Sequence, residues 1–346
     1  MSLLSTETGF LGIDIGSSSI KLVELKRVKD EIRLMSYGFT ENLGKIVGDD
    51  WQKDSAYAAK VINSIRKKAG TVSQNAVGAL PTFSVFSSLI NLSNVGQKDI
   101  SSAVHWEAKK VIPMSLEEMV LDWKIISDEE SDGDNIKVLL TGAPKTLVKR
   151  YINIFRDARI NLLSLETETF SLIRSLLGND KAVIMMVEIG TSTTDIFVVE
   201  KSIPVLSRSI DVGGLSITKA LSENLNVGLE RAEQFKYDLG VTSMGSSEEV
   251  VPKTIMESIS PIINEIKYML NMFENKDNKK VVKIVLSGGS SLLPNLTNYL
   301  SKILDINVVI GDPWSRVSYP VELKPVLSEI GCRLSVAIGL AMREIE

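Results

Sequence analysis

The sequence predicts an α/β protein of two lobes built on one repeated design, and three observations carry that prediction. The chain has 346 residues, too many for one simple core. Strand-like runs of Ile, Leu and Val alternate along it with segments of helical period. The opening stretch "FLGIDIGSSSIKLVELK", from Phe10, returns without a gap as "VIMMVEIGTSTTDIFVVEK" from Val183. Glu188 stands in the place of Asp14, Gly190 in that of Gly16, and Thr191-Ser192-Thr193 over the serine run. Such self-similarity argues for a duplicated unit of strand, phosphate-sized turn and second strand.

Taken in order, residues 10 to 40 read as a meander, with "FLGIDI", "IKLVELKR" and "IRLMSYGF" separated by turn residues. Residues 53 to 69 place Ala58, Val61, Ile62 and Ile65 at helical spacing, and "NAVGALP" follows as a short strand ending at Pro81. From Phe83 to about Arg159 come strand, helix, strand, strand and helix, a small α+β module inserted into something larger. Its acidic loop "SDEESDGDN" reads as a solvated hairpin tip. After "INLLSLETETFSLIRSLL" the second copy begins. Residues 213 to 277 are helical, with Ile255, Ile259, Ile262, Ile266, Met269 and Phe273 on one buried face, a core stripe rather than a cofactor box. The run "KKVVKIVLSGGSSLLPNLTNYLSKIL" gives a strand, a Gly-Gly turn and a helix. "LSEIGCRLSVAIGLAMREIE" then gives a last helix with Gly331 and Gly339 at points of close packing.

Composition excludes several functions. A net charge of -4, from 39 basic and 43 acidic residues, gives no electrostatic footprint for nucleic acid. One cysteine, Cys332, and one histidine, His105, leave neither an intrachain disulfide nor a soft-ligand zinc site, which fits a reducing, cytoplasmic location. The start "MSLLSTETGF" has no basic n-region or apolar h-region, and no apolar run is expected to approach the roughly 20 residues of a membrane span. Direct membrane insertion is therefore not expected. His105 with Trp106 reads as packing or partner contact, and Cys332 as buried filler.

The chemistry concentrates in three glycine-hydroxyl turns. Asp14 inside an apolar strand needs a compensating partner, and the Gly16-Ser17-Ser18-Ser19 turn points hydroxyls and N–H groups at one spot. Together with the Glu188–Thr193 turn it could clasp a polyphosphate from two sides. Ser287-Gly288-Gly289-Ser290 lets backbone approach a flat base or a ribose. The acids would hold magnesium, a hard cation suited to carboxylates, phosphates and water. Any one turn alone is also read as an ordinary hairpin or strand-to-helix loop; the three in this order point to nucleotide. Neither a P-loop nor a Rossmann glycine run is present.

In this order "GIDIGSSSIK", "VEIGTSTTD" and "VLSGGSSLLPNL" resemble the phosphate-1, phosphate-2 and adenosine segments of the actin, sugar kinase and Hsp70 superfamily. The likeness extends over nearly the whole chain. "SSAVHWEAKKVIPMSLEEMVLDWKI", "AEQFKYDLG", "GDPWSRV" and "AIGLAMR" look like the PilM family of type IV pilus assembly proteins, relatives of the cell-division protein FtsA. The resemblance implies a two-lobe actin-like (ribonuclease H-like, duplicated) ATPase fold with an inserted α+β subdomain, called 1C. Residues 1–82 would be the first part of the first lobe, 83–160 the inserted subdomain, and 161–182 with 328–346 the remainder of the first lobe. Residues 183–327 would form the second lobe, with a helical portion at about 225–278.

Site roles follow from the same resemblance, with ATP and Mg2+ as cofactors. It implies Asp14 and Glu188 near the metal, and Gly16, Ser17, Ser18, Ser19 and Lys21 by the β- and γ-phosphates. Gly190, Thr191, Ser192 and Thr193 would contact them from the other lobe. Gly213 and Gly214 would approach the ribose, Glu233 and Lys236 frame the nucleoside, and Gly288, Gly289 and Ser290 meet adenine. Glu166 would sit near the attacking water as the catalytic candidate. Lys21 has a plain alternative as a solvent-facing strand lysine. Glu188 departs from the superfamily's usual Asp, and its added methylene moves the carboxylate by about one bond length, which predicts nucleotide binding without fast hydrolysis.

The implied function is a cytoplasmic ATP-binding scaffold of pilus assembly, peripheral to the inner membrane through a partner. That partner is the single-span membrane protein PilN, whose N-terminal cytoplasmic tail would dock between the first lobe and the inserted module. Pilus ATPases and self-association are further partners implied. Two rivals stand beside it: a small-molecule kinase of the same superfamily, marked by phosphoryl transfer, and an FtsA-like division filament, marked by ATP-dependent sedimentation.

Overall fold

A computed structural model describes residues 9–41, 54–93, 95–96, 98–126, 135–241 and 250–345. The acidic loop expected at the hairpin tip falls on residues 127–134 and lies outside the described residues, as do residues 242–249 of the long helical stretch.

The predicted meander is β1 (Gly9–Ile15), β2 (Ser19–Val28) and β3 (Glu31–Glu41), all antiparallel. Asp54 caps helix α1 (Ser55–Ala69) by accepting from the Tyr57 N–H at 3.0 Å, and Gly70 ends it in the left-handed conformation. Strands β4 (Asn75–Leu80) and, later, β8 (Asn161–Thr167) add in parallel, giving the sheet order β3-β2-β1-β4-β8.

The second copy repeats this plan. Strands β9 (Ile184–Ile189), β10 (Thr194–Glu200), β11 (Ile203–Ile210), β12 (Lys283–Ser287) and β13 (Val308–Ile310) form the order β11-β10-β9-β12-β13. The pairing is again an antiparallel meander extended by parallel strands. Duplication inferred from one motif thus extends to the whole sheet. The helical stretch breaks into α5 (Gly214–Leu225), α6 (Leu229–Leu239) and α7 (Val250–Asp277), while α8 (Leu296–Leu304) precedes β13. The predicted stripe from Ile255 to Phe273 is buried in the core of this lobe.

Between the lobes' shared elements sits a three-stranded antiparallel sheet, β5 (Phe86–Ser93), β6 (Met119–Ile126) and β7 (Asn135–Pro144), in the order β5-β7-β6. Helix α2 (Ile100–Val111) covers it through Ile100, Val104 and Ala108. His105 and Trp106 lie on the opposite, exposed face of α2, with Trp106 62% exposed, so the packing alternative for this pair does not hold. Helix α3 (Lys145–Asp157), grouped with this module in the sequence, packs elsewhere: Leu147, Tyr151, Ile154 and Phe155 join α1 against the first sheet. The physical reason is that α2 already covers the small sheet, whereas the first sheet's α1 side has room for a second helix.

Helices α4 (Glu168–Leu176) and α9 (Lys324–Met342) complete the molecule. One side of α9 packs on β1 and β2, with Leu334, Ala337, Ile338 and Ala341 against Val23 and Leu25. Its Val336 and Leu340 meet residues of both sheets, including Val77, Met186 and Val285. A Cβ on Gly339 would lie 1.9 Å from the Ser171 carbonyl, which is the close approach expected of that glycine, and Gly331 packs against Trp314. The expectation that no apolar run would reach membrane length needs correction: Val321–Met342 is long and apolar enough, with a mean hydropathy of 1.4 in its best 18-residue window. Two-thirds of that window, 67%, is buried in the fold, so its hydropathy is that of a helix shared by two lobes.

Candidate functional site

Both glycine turns close in the same way. The Gly16 N–H donates to the Ser19 carbonyl at 2.9 Å, and the Gly190 N–H donates to the Thr193 carbonyl at 3.0 Å. Each turn spans the four residues between paired strands, since Ile15 faces Ile20 and Ile189 faces Thr194. The turns meet tip to tip across one cleft: Ser18 Oγ and Thr191 Oγ1 share a hydrogen bond of 2.6 Å, and Ser192 Oγ donates to Ser17 Oγ at 3.0 Å.

The cleft is lined at one end by Ser18, Ser19, Lys21, Glu188, Gly190 and Thr191. At the other end stand Gly214, Glu233, Lys236 and the Gly288–Ser290 turn, joined by Leu215, Thr218, Tyr237 and Arg333. Gly288 adopts φ +83°, and a Cβ there would lie 2.4 Å from the Ile189 carbonyl, so only glycine lets the third turn pass over β9. Gly213 and Gly214 dock α5 onto the second turn, with the Gly214 and Leu215 N–H groups donating to the Gly190 and Thr191 carbonyls, both at 2.9 Å. The N–H groups that open α5 are thereby committed to the protein itself.

Lys236 is a buried strut. Its ammonium donates to Gly214 O (3.2 Å), Thr218 Oγ1 (3.0 Å) and Glu233 Oε2 (2.7 Å), and Thr218 also bonds Glu233. These bonds satisfy a charge that burial would otherwise make costly. The Tyr237 hydroxyl donates to the Gly289 carbonyl at 3.3 Å.

Beneath the phosphate-sized turns lies a group of charges. Lys21 donates to Asp14 Oδ2 at 2.8 Å, so Lys21 is no solvent-facing strand lysine. Burial works to lower its pKa, but Asp14, aided by Glu188 and Glu168, outweighs burial and holds the ammonium above its ordinary value. Carboxylate oxygens of Glu168, Glu188 and Asp195 lie within 4.8 Å of one another. Burial, then Asp195 and Asp14, push Glu188 up to about 8, against the pull of Lys21. Burial lifts Asp195 to about 6, with the Ser209 hydroxyl opposing, and burial followed by Glu188 drives Glu168 well above the usual carboxylate range. Three mutually repelling hard oxygen donors are a fit for a divalent cation such as magnesium.

Two sequence expectations need revision. Glu166 is not brought to the cleft: Arg174 holds both its oxygens, at 2.7 and 3.0 Å, and also donates to Gly339 O, while Arg343 stands 3.7 Å away. The acid of this segment that joins the cleft-lining Glu188 is Glu168, which accepts from Thr82 N–H (2.9 Å) and Thr82 Oγ1 (3.2 Å). Asp14 is engaged by Lys21 and is not part of the three-carboxylate group, which Glu188 joins. The sequence held a signal for Asp195, which faces Glu188 where Lys21 faces Asp14 in the repeat. Tyr237 was visible beside Lys236, whereas no local pattern marks Arg333 in α9.

A family model described as "Type IV pilus assembly protein PilM" matches residues 12–345. Among curated proteins, the cell division protein FtsA of Bacillus subtilis (strain 168) is 21% identical, covering 88% of this chain and 78% of that protein. Among solved structures, one described as a PilM-PilN type IV pilus biogenesis complex superposes with a TM-score of 0.84 at 24% identity, covering 99% of each chain. MreB 5 of Spiroplasma citri bound to AMPPNP superposes with a TM-score of 0.55 at 12% identity, covering 98% of this chain and 96% of that one. The actin-like fold expected from the repeated turns is the fold these structures share.

Proposed function

Because the chain belongs to the PilM family of type IV pilus assembly proteins, we propose that it is a cytoplasmic, ATP-binding scaffold that docks the N-terminal cytoplasmic tail of PilN. The observation that carries the nucleotide part is the meeting of the two duplicated turns across one cleft, with the glycine turn at its far end. Ser17, Ser18, Thr191 and Ser192 would exchange their mutual bonds for phosphate oxygens, and Lys21 would supply positive charge. Glu168, Glu188 and Asp195 would hold Mg2+, which would neutralise phosphate charge when bound. Hydrolysis is slow in this reading, since Glu166 is spent on Arg174 and Glu188 is longer than the superfamily's aspartate.

For the partner, the supporting feature is a groove between the first lobe, the inserted module and the second lobe. Thr82, Phe83, Thr167, Thr169 and Phe170 form its floor. Its sides are β5 and β11, each the outer strand of its sheet. Two outer strands suit an extended peptide that adds main-chain hydrogen bonds. Thr82 belongs to this groove and also donates to Glu168, whose carboxylate is grouped with that of the cleft-lining Glu188, giving nucleotide a route by which to favour one groove shape over another.

The test is a titration of a labelled synthetic PilN tail peptide, with and without Mg-ATP, against the wild type and Asp14→Ala. Peptide binding strengthened by Mg-ATP in the wild type alone is expected. Absence of peptide binding under every condition overturns the scaffold reading, and equal ATP affinity in Asp14→Ala overturns the role given to the Asp14–Lys21 pair.

A further inference from the structure

We infer that Arg333 and Tyr237 hold the flat face of a purine base and leave its edges unread, so that adenine and guanine nucleotides bind alike. This rests on the nucleotide reading above. At the end of the cleft away from the serines, the lining side chains are the planar Tyr237 and Arg333, the apolar Leu215, and polar groups bonded to one another, Thr218, Glu233 and Lys236. Glu233 Oε2 is bonded to Lys236 and Thr218, and the Tyr237 hydroxyl to Gly289 O. Ser290 is buried against Gly214.

Adenine and guanine differ at the six-position and in the two-amino group. Strong discrimination between them needs a donor–acceptor pair fixed against that edge, of the kind an amide side chain supplies. No Asn or Gln lines this cleft among the described residues. What the site offers is surface. The Arg333 guanidinium lies 6.0 Å from the centre of the Tyr237 ring, and the Arg333 stem passes within 4 Å of where a Gly289 Cβ would stand. A ring, a guanidinium and a side-chain-free backbone turn form one wall, suited to stacking, which every purine satisfies. Arg333 comes from α9, the helix shared by both lobes, so the base is held by an element outside the second lobe's own repeat.

The experiment is calorimetric titration of the full chain with Mg-ATP, Mg-GTP and Mg-tripolyphosphate, using wild type, Arg333→Ala, Arg333→Lys and Tyr237→Ala. Wild-type affinities for ATP and GTP are expected within ~5-fold of each other. Arg333→Ala is expected to weaken both by ~10-fold at unchanged ratio while leaving tripolyphosphate unaffected. Arg333→Lys should fail to restore binding, because it returns charge without the plane, and Tyr237→Ala should weaken both nucleotides alike. An ATP preference above ~100-fold overturns the inference and leaves the nucleotide reading intact. Equal weakening of tripolyphosphate in Arg333→Ala also overturns it, by making Arg333 a phosphate contact. Wild-type chain that binds tripolyphosphate but neither nucleotide, or none of the three, overturns the nucleotide reading itself.

Discussion

In the first hairpin the residue facing Asp14 across the ladder is Lys21; in the second, the residue facing Glu188 is Asp195. The two turns share register, length and closing hydrogen bond, so duplication has kept the backbone and changed the charges. One copy neutralises itself as an ion pair. The other sets two acids side by side and, with Glu168 from the first lobe, leaves a deficit that a proton or a cation must fill. A repeated scaffold can therefore divide labour by a single cross-strand pair, one copy holding itself closed and the other open to an ion.

Breaking the self-neutral copy should have the largest effect. Asp14→Ala leaves the Lys21 ammonium without its main partner, and because Lys21 keeps Glu188 and Glu168 nearby, the loss is expected at about 2–3 kcal/mol rather than the full cost of orphaning a buried charge. Urea denaturation measures it.

Asp195→Asn sharpens the comparison from the other side. Removing one of the facing acids should weaken Mg2+ binding ~10-fold or more, read by magnesium titration of ATP affinity, because a hard-cation site loses one of its charged donors. In the metal-free chain at pH 8 the same change should stabilise by about 1–2 kcal/mol, a discounted figure because Glu188 lines the open cleft, where water screens it.

The pH dependence has a definite sign. Glu188 is raised from an ordinary 4.5 to about 8, so the folded chain keeps a proton that the unfolded chain has released. Stability contributed in this way is present at low pH and is lost as pH rises from about 4.5 through about 8. Thermal melts in EDTA should therefore fall over that window, and melts in Mg2+ should not, since the cation replaces the proton. A flat EDTA profile would show the second copy to be as self-neutral as the first.

The smallest effect is expected at the contact that joins the copies. Thr191→Val removes the 2.6 Å bond to Ser18 and should cost about 1 kcal/mol in stability, the usual net worth of one such bond. Mg-ATP affinity should fall in step, since the same hydroxyl is assigned to phosphate.

The sequence made the sheets, the turns and the α7 stripe legible because all are local: period, glycine and hydroxyl spacing are written in consecutive residues. The repeat also placed Asp195 opposite Glu188, although only the register of a four-residue turn turns that spacing into a facing pair. Glu166 and Glu168 show where local reading stops. Both lie in "LETET", and what separates them is a bidentate Arg174 on one side and Thr82 on the other, partners supplied by tertiary packing. Arg333 had no signal for the same reason, since its role depends on α9 passing beside the glycine turn. Helix α3 was grouped with the wrong neighbour by chain order alone, because adjacency in sequence does not say which sheet still lacks a cover.

The path of α9 also bears on how the molecule is made. Arg27 reaches the Ile345 carbonyl across 318 positions of sequence, and one side of β2 is covered by a helix made after all the other described elements. During synthesis the second repeat, contiguous apart from α9, has its own core elements available first, while the earlier-born sheet waits with Val23 and Leu25 uncovered. The lobe made earlier is thus the lobe completed later, and the interval between is when a chaperone has most to protect.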